Sequence, residues 1–172
     1  MTSDQDTSIY SDGFSQYESY GTESTLLVQN GPAEFYEIAD AFVLISFNTA
    51  GLMPSPKKAT LQLTHLPSTK FRQQDSTITI FRRNSMKGRI ETFHGGYTSD
   101  QVEGQVTGPS FTVAYDDNKT FRIDVTSLIN KGEGFPTQQM LFLLDNRGPE
   151  QSEGDRFYSR ESKLPPQLEL TF

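Results

Sequence analysis

The chain has two histidines, the side chains best able to move a proton near neutral pH. His94 is followed three residues later by Tyr97, so one loop could hold the His and Tyr that a lyase needs for proton abstraction. The alternative is an ordinary surface loop. Neither His65 nor His94 lies in a nucleophile elbow, Gly-x-Ser-x-Gly is absent, and there is no cysteine. The sequence therefore predicts that the protein is not an enzyme.

Carboxylates near both ends of the chain are candidate metal ligands. Asp6 lies in an acidic N-terminal segment, while Glu153 and Asp155 lie in an acidic loop that precedes the last strands. If the two termini pair, these side chains come close together, and Ca²⁺ takes six to eight oxygen ligands of this kind. We therefore name Asp6, Glu153 and Asp155 as candidate ligands of a structural Ca²⁺ ion. The alternative is that these acidic segments are simply solvated.

Arginine and tyrosine side chains provide a candidate ligand-binding face. Arg122 is expected on a strand, and Tyr158 and Arg160 on the outward side of another. Arginine donates paired hydrogen bonds to a carboxylate or to vicinal hydroxyls, and tyrosine offers a flat ring with a hydroxyl. The loop with His94 and Tyr97 is a second candidate place for binding. For Arg160 the alternative is an ion pair with the neighbouring glutamate inside the fold.

Strands must position these side chains, and residues 156–172 show the strand pattern most clearly. Leu168, Leu170 and Phe172 alternate with polar residues, which is the period of a half-buried strand. Two prolines before them cannot donate ladder hydrogen bonds and mark the start of the strand. We expect this final strand to lie beside a first strand around Ile9, which brings the two termini to one edge of the fold.

The remaining segments also read as strands. None of them longer than about ten residues repeats the helical spacing of apolar residues, so almost no helix is expected. Residues 111–125 are expected to form a hairpin. The two apolar faces of 40–48 indicate a central strand covered on both sides, or one with a side that lines a groove. About ten short strands predict an all-β fold, an antiparallel β-sandwich of jelly-roll type, as a single domain over residues 1–172. Further strands are expected at 24–30, 59–63, 76–83 and 139–146, and at most one more around residues 89–93.

Composition excludes several classes of function. The net charge of −7 argues against nucleic acid as a partner, because phosphate binding needs a basic face. The same charge suits a polyanionic ligand only where basic residues cluster locally. The absence of tryptophan argues against a flat platform for crystalline cellulose. We find no apolar run of membrane-spanning length and no signal peptide in this sequence.

Several short motifs, taken in order, resemble the DNRLRE-type bacterial modules. The closing aromatic-Ser-Arg-Glu strand and the proline after it are similar to that family, but Ser46 stands where the family has a basic residue. The resemblance implies an extracellular β-sandwich related to an alginate-binding carbohydrate-binding module family. The matching positions are Tyr20, Gly21, Leu26, Val28, Ile45, Phe47, Ala59 to Leu63, Asp124 to Thr126, Ser159 to Glu161 and Pro166.

These observations favour non-catalytic binding of a polysaccharide. By the resemblance, the ligand is an acidic glycan such as alginate, and the protein is a secreted, monomeric module that targets an attached lyase or hydrolase to it. A second hypothesis is a structural or adhesive spacer in a cell-surface protein, without affinity for glycans. A small enzyme is the third. A groove lined by Arg, Lys and Tyr side chains would distinguish the first hypothesis from the second.

Overall fold

The computed structural model describes residues 1–10, 22–31, 41–50, 56–67, 74–83, 106–114, 117–130, 139–149 and 154–172. Within these ranges the chain forms ten strands and one short helix, α1 (Thr126–Asn130). No helix in them is long and apolar enough to cross a membrane. The strands are β1 (Gln5–Tyr10), β2 (Thr25–Val28), β3 (Ala41–Asn48), β4 (Lys58–Leu66), β5 (Ser76–Arg83), β6 (Val106–Val113), β7 (Thr120–Asp124), β8 (Gln139–Asn146), β9 (Asp155–Tyr158) and β10 (Gln167–Thr171).

The strands form two antiparallel sheets. The first sheet has the order β1-β3-β8-β5-β6, and the second has the order β10-β4-β9-β2, with β7 also paired to β4. Thr60, Leu61 and Gln62 of β4 pair with both β10 and β7, so these two strands lie on opposite sides of β4. The expectation of an antiparallel β-sandwich of jelly-roll type with almost no helix is confirmed.

Alternation along the strands produces the core between the sheets. In β4, Ala59, Leu61 and Leu63 are buried, while the residues between them are only partly so. Phe47 of β3 and Phe142 of β8 pack edge to face inside the same core, with ring centroids 6.0 Å apart. Each buried side chain of this size contributes roughly 1.5–3 kcal/mol by leaving water.

The third strand is apolar on both faces, as its sequence indicates. Val43, Ile45 and Phe47 point into the core between the sheets. Phe42 and Leu44 alternate with them and belong to a second buried cluster, together with Phe81, Leu141 and Leu143. These residues come from β3, β5 and β8, which are neighbours in the first sheet. The prediction of a central strand covered on both sides is therefore confirmed.

The expected hairpin at 111–125 is wrong. β6 begins at Val106 and pairs with β5 in the first sheet, whereas β7 pairs with β4 in the second sheet. The chain between them therefore crosses from one sheet to the other. The rings of Phe111 and Phe121 meet across the core at 5.1 Å between centroids, so the apolar pattern reflects packing between sheets and not pairing within one.

The start of β6 is hidden in the sequence by a Gly-Pro pair that breaks the strand pattern. A Cβ atom on Gly108 would lie 2.8 Å from the backbone oxygen of Ile80 and closer still to Leu128 of α1. The glycine thus permits a close approach between β6, β5 and the helix. The pairing of β5 with β6 also shifts register between Thr79 and Phe81. The possible strand at residues 89–93 lies outside the described residues.

Helix α1 is too short to show a helical period in the sequence. Asp124 precedes it, and its Oδ1 accepts a hydrogen bond of 2.9 Å from the backbone N–H of Thr126, which satisfies one free donor of the first turn. Hydrogen bonds from the side chain of Thr126 and from its backbone N–H hold the pKa of Asp124 below its ordinary value. Leu128 and Ile129 are buried in the core, so tertiary packing stabilises the helix.

The two termini meet, but not through the expected partners. Thr2 bridges to Gln167, and the backbone N–H of Ser3 donates to the oxygen of Pro166 at 3.0 Å. Ile9, by contrast, pairs with Phe42 in the first sheet. The final strand therefore lies between β4 and the first three residues of the chain.

The apolar side chains of the last strand become more exposed toward the C-terminus. Leu168 is fully buried and Leu170 is half-buried, but Phe172 is 46% exposed. The expectation that all three dock inside the sheet is wrong for Phe172, because β10 ends at Thr171.

Leu168→Ala should lower the free energy of unfolding by about 2–5 kcal/mol, because it leaves a cavity between the sheets. Phe172→Ala is the matched control, and its effect should stay within about 0.5 kcal/mol because the ring is largely in water. Urea unfolding of both variants measures the difference. Equal losses would contradict the docking of β10 at Leu168.

Candidate functional site

The second sheet presents a polar face to solvent. Alternate residues of β4, β7 and β10 point outward there, because the residues between them fill the core. Gln62 of β4 lies between Arg122 of β7 and Gln167 of β10. We call this surface the outer face. It comprises Thr60, Gln62, Thr64, Thr120, Arg122, Asp124, Gln167, Glu169 and Thr171.

Arg122 forms a hydrogen-bonded network with Glu169 across β4. Arg122 Nη2 donates to Glu169 Oε2 at 2.5 Å, and Nη1 donates to Oε1 at 3.4 Å. Gln62 Nε2 also donates to Glu169 Oε1. The hydrogen bond from Arg122 holds the pKa of Glu169 below its ordinary value, so the carboxylate is ionised at neutral pH. The three side chains form a row of donors and acceptors across three strands.

A shallow pocket of about 130 Å³ opens beside this network. Its polar lining comes from β4, β7, β10 and Lys163, and its apolar lining from Leu164 and Pro165 in the turn between β9 and β10. Leu164 is 50% exposed and is one of three exposed large apolar side chains among the described residues. Polar groups beside a small apolar wall suit a sugar ring, which has hydroxyls on its rim and C–H groups on its faces. The polar residues are Gln62, Thr64, Thr120 and Gln167.

The predicted binding residues are only partly brought together. Tyr158 is half-buried on β9, opposite Thr25 of β2, in the same sheet as Arg122. Arg160 donates from Nε to Glu161 Oε1 at 2.8 Å and from Nη1 to the backbone oxygen of Asp4. Its guanidinium thus links the closing turn to the N-terminal segment and does not join the Arg122 network.

The Arg160–Glu161 ion pair exists, but its position differs from the one expected. The two side chains are 31% and 41% exposed, so the pair lies at the surface and not inside the sandwich. The turn at Ser159 and Arg160 ends β9 before the alternation of the strand can continue. His94 and Tyr97 lie outside the described residues, and their candidate role stays a prediction.

His65 and Asp155 form a buried pair that the sequence did not predict. His65 Nε2 lies 3.0 Å from Asp155 Oδ1, and both side chains are fully buried. His65 Nδ1 lies 2.7 Å from the backbone oxygen of Asp117. The imidazole packs edge to face against Phe157 of β9 and Phe121 of β7. The pair therefore joins β4, β9 and the segment that leads into β7.

The hydrogen-bond chemistry defines where the protons of this pair lie. A carbonyl oxygen only accepts, so His65 Nδ1 carries a hydrogen that it donates to Asp117. One further proton lies between Nε2 and Asp155 Oδ1, either on the imidazole as an ion pair or on the carboxyl group. Both arrangements have zero net charge, which is what burial requires. Neither side chain reaches solvent, so the pair lies inside the fold and not on its surface.

The carboxyl group of Asp6 is buried and hydrogen-bonded to other residues of the protein. It is 1% exposed, and its Oδ2 accepts hydrogen bonds from the backbone N–H of Arg160 at 2.8 Å and from Ser3 Oγ at 3.3 Å. Burial raises the pKa of Asp6 to about 6, although the bond from Arg160 opposes this. Asp6 therefore helps to connect β1 with the turn after β9.

The structural Ca²⁺ ion stays a prediction. Glu153 lies outside the described residues. Asp6 and Asp155 are bonded to different parts of the protein, the first to the closing turn and the second to His65. In the part of the chain that the structure describes, no group of three or more His, Asp or Glu side chains is arranged to hold a metal ion.

The described residues form a β-sandwich whose second sheet presents an open polar face. The whole chain, residues 1–172, matches the model of carbohydrate-binding module family 96. The protein belongs to that family, and it is a non-catalytic module whose partner is a polysaccharide.

A comparison with solved structures gives a distant likeness. The family 30 carbohydrate-binding module of the cellulosomal cellulase Cel9D-Cel44B of Clostridium thermocellum is 10% identical, with a TM-score of 0.40. The alignment covers 99% of this chain and 95% of that one. A search of curated proteins finds no match.

Among the residues around the pocket, sequence reasoning found Arg122 and missed its neighbours. The alternation in β4 and β10 does indicate that Gln62, Thr64, Gln167 and Glu169 point outward. What the sequence does not show is that β7 and β10 flank the same three residues of β4. That pairing brings Arg122 and Glu169 together although they are 47 positions apart.

His65→Ala should lower the free energy of unfolding by about 3–5 kcal/mol, because it leaves Asp155 buried without its partner. Asp155→Asn should cost clearly less, since the amide N–H can donate to Nε2 of a neutral His65. Urea unfolding at neutral pH measures both variants. A loss below about 1 kcal/mol for His65→Ala would contradict the described role of the pair.

Asp6→Asn should remove a pH dependence of stability. The unfolded carboxyl titrates near 3.8 and the folded one at about 6, so stability gained from the protonated form is present below pH 4 and lost as pH rises through 6. Between about pH 4.5 and pH 8, the parent should lose about 2 kcal/mol more than the variant. Urea unfolding at both pH values tests this. An equal change in both proteins would show that burial does not raise the pKa.

Proposed function

We propose that the outer face binds an acidic polysaccharide of the alginate type, and that the module targets an attached lyase or hydrolase to this extracellular substrate. The observation that carries the proposal is the position of Arg122, which is exposed and pairs with Gln62, a lining residue of the pocket, while its guanidinium reaches across the sheet to Glu169. Arginine presents a rigid fork of donors that matches a carboxylate or a pair of vicinal hydroxyls. A uronic acid residue offers both.

The local charge supports an acidic ligand. The described residues contain ten Lys and Arg against ten Asp and Glu, so the net charge of −7 comes from the remaining segments. Exposed basic side chains on and around the outer face are Lys58, Arg122, Arg156 and Lys163. The acidic side chains there are Asp124 and Glu169, and both are engaged in hydrogen bonds.

The pocket supports recognition of a sugar ring next to Arg122. Thr64 and Thr120 share a hydrogen bond of 2.9 Å between their hydroxyls, and each hydroxyl keeps further bonding capacity. Leu164 and Pro165 offer apolar contact to the C–H face of a ring. Lys163, exposed at the rim, is a second cation for a carboxylate. Because the pocket lies on an open sheet surface, we propose that it takes a unit within a chain.

The resemblance to DNRLRE-type modules supports the same ligand class. Two of its motifs, Ala59 to Leu63 and Asp124 to Thr126, include residues of β4 and β7, the strands that position Gln62 and Arg122. The competing hypothesis, a spacer without glycan affinity, is favoured by the pairing of Arg122 with Glu169, since this leaves the face largely self-satisfied. Binding to an acidic glycan distinguishes the two.

Arg122→Ala should weaken binding to alginate by about tenfold or more, because a charge-assisted hydrogen bond contributes roughly 1.5–3 kcal/mol. The binding should also weaken as salt rises. Affinity electrophoresis in alginate gels measures both effects. Arg147→Ala is the matched control, because Arg147 is an exposed arginine at the end of β8 in the first sheet.

Two outcomes would overturn parts of this proposal. Unchanged retardation of a folded Arg122→Ala protein would place the site elsewhere, and the loop around His94 and Tyr97 is the next candidate. No retardation of the parent protein by alginate would favour the spacer.

A further inference from the structure

We propose that Glu169 determines the selectivity of the outer face, because its carboxylate occupies the Arg122 fork and an acidic sugar must displace it. The inference rests on the proposed function and goes one step further. It assigns a role to a residue of the protein itself, the internal carboxylate that competes with the carboxylate of the ligand.

Glu169 occupies the position on Arg122 that a ligand carboxylate would take. Both terminal nitrogens of Arg122 donate to Glu169, one to each carboxylate oxygen, in the side-by-side arrangement that a ligand carboxylate would adopt. Gln62 donates a third hydrogen bond to the same group. A uronate carboxylate that approaches these two nitrogens of Arg122 would therefore find the position already occupied by Glu169.

The exposure of the pair makes displacement feasible. The side chains of Arg122 and Glu169 are 56% and 50% exposed. Exposed ion pairs of this kind hold weakly, so Glu169 leaves the fork for part of the time and becomes solvated when it does. The apparent affinity for a carboxylate is then the intrinsic affinity reduced by the fraction of molecules in which the fork is open.

A neutral sugar would use the intact pair differently. Arg122 has further donors, and Glu169 has lone pairs that remain free to accept, so together they present a donor beside an acceptor. Vicinal hydroxyls can donate to Glu169 and accept from Arg122 at the same time. Removing the charge of Glu169 should therefore favour acidic ligands and weaken binding of neutral ones.

The test compares Glu169→Gln with the parent on two polymers, alginate and carboxyl-reduced alginate, by affinity electrophoresis and by titration calorimetry. Reduction converts each carboxylate to a hydroxymethyl group and keeps the sugar backbone. We expect Glu169→Gln to bind alginate about two- to sixfold more tightly, from the open fraction of an exposed pair. Binding to the reduced polymer should weaken.

Two control variants separate the proposed mechanism from a general charge effect. Glu23→Gln makes the same change of charge before β2, three strands from β7 in the same sheet, and should leave alginate binding within about 1.5-fold of the parent, as expected for a remote, screened charge. In an Arg122→Ala background, Glu169→Gln should give no gain, because the fork is absent. Glu23, Arg122 and Glu169 are all exposed, so the variants are expected to fold.

The outcomes distinguish this inference from the proposed function. If the parent binds alginate and Glu169→Gln binds it no more tightly, Glu169 does not compete and the inference fails while the function stands. An equal gain from Glu23→Gln, or a gain that persists without Arg122, overturns it as well. If the parent binds neither polymer, the proposed function itself fails.

Discussion

The pairing of His65 with Asp155 is the constraint on which the outer face depends. Separating a buried polar pair leaves each partner desolvated, so the pair fixes the relative position of its two strands more strictly than apolar packing does. His65 lies in β4, Asp155 begins β9, and Asp117 lies three residues before β7. The strands that present Gln62, Tyr158 and Arg122 are therefore held in position from beneath, inside the core.

Strand β4 connects this buried pair to the strands that form the outer face. β10 pairs with its first half and β9 with its last residues, while β7 pairs along the other side. The eight residues between β9 and β10 form the turn that contributes Lys163, Leu164 and Pro165 to the pocket. If the outer face binds a ligand as proposed, β4 beneath it is already paired on both sides, so binding orders side chains and not backbone, which keeps its entropic cost small.

Much of the fold could be predicted from period-two alternation and from short continuous apolar runs, which depend only on which side chains enter the core. Alternation indicated β4, with its outward face, and β5, while β3 and β8 are continuous apolar runs; seven of these eight strand ends lie within one residue of the expected ones. The apolar pattern failed at Gly108-Pro109, where close packing breaks it, and at α1, which is shorter than two helical turns. Alternation also says nothing about partners, so the hairpin, the neighbour of β10 and the His65–Asp155 pair could not be predicted.

The same limit explains why Arg122 was found but its carboxylate partner was not. An arginine on a strand signals a donor that reaches solvent, yet its chemical meaning depends on what the neighbouring strands place beside it. Here β10 places Glu169 there, so the face is neither a simple cationic patch nor an inert polar surface. In the proposed competition, this weak exposed pair lowers the affinity of each contact, but a polysaccharide repeats its unit along the chain. Many equivalent registers can then compensate for modest affinity at any one of them, provided that the face stays open at both ends.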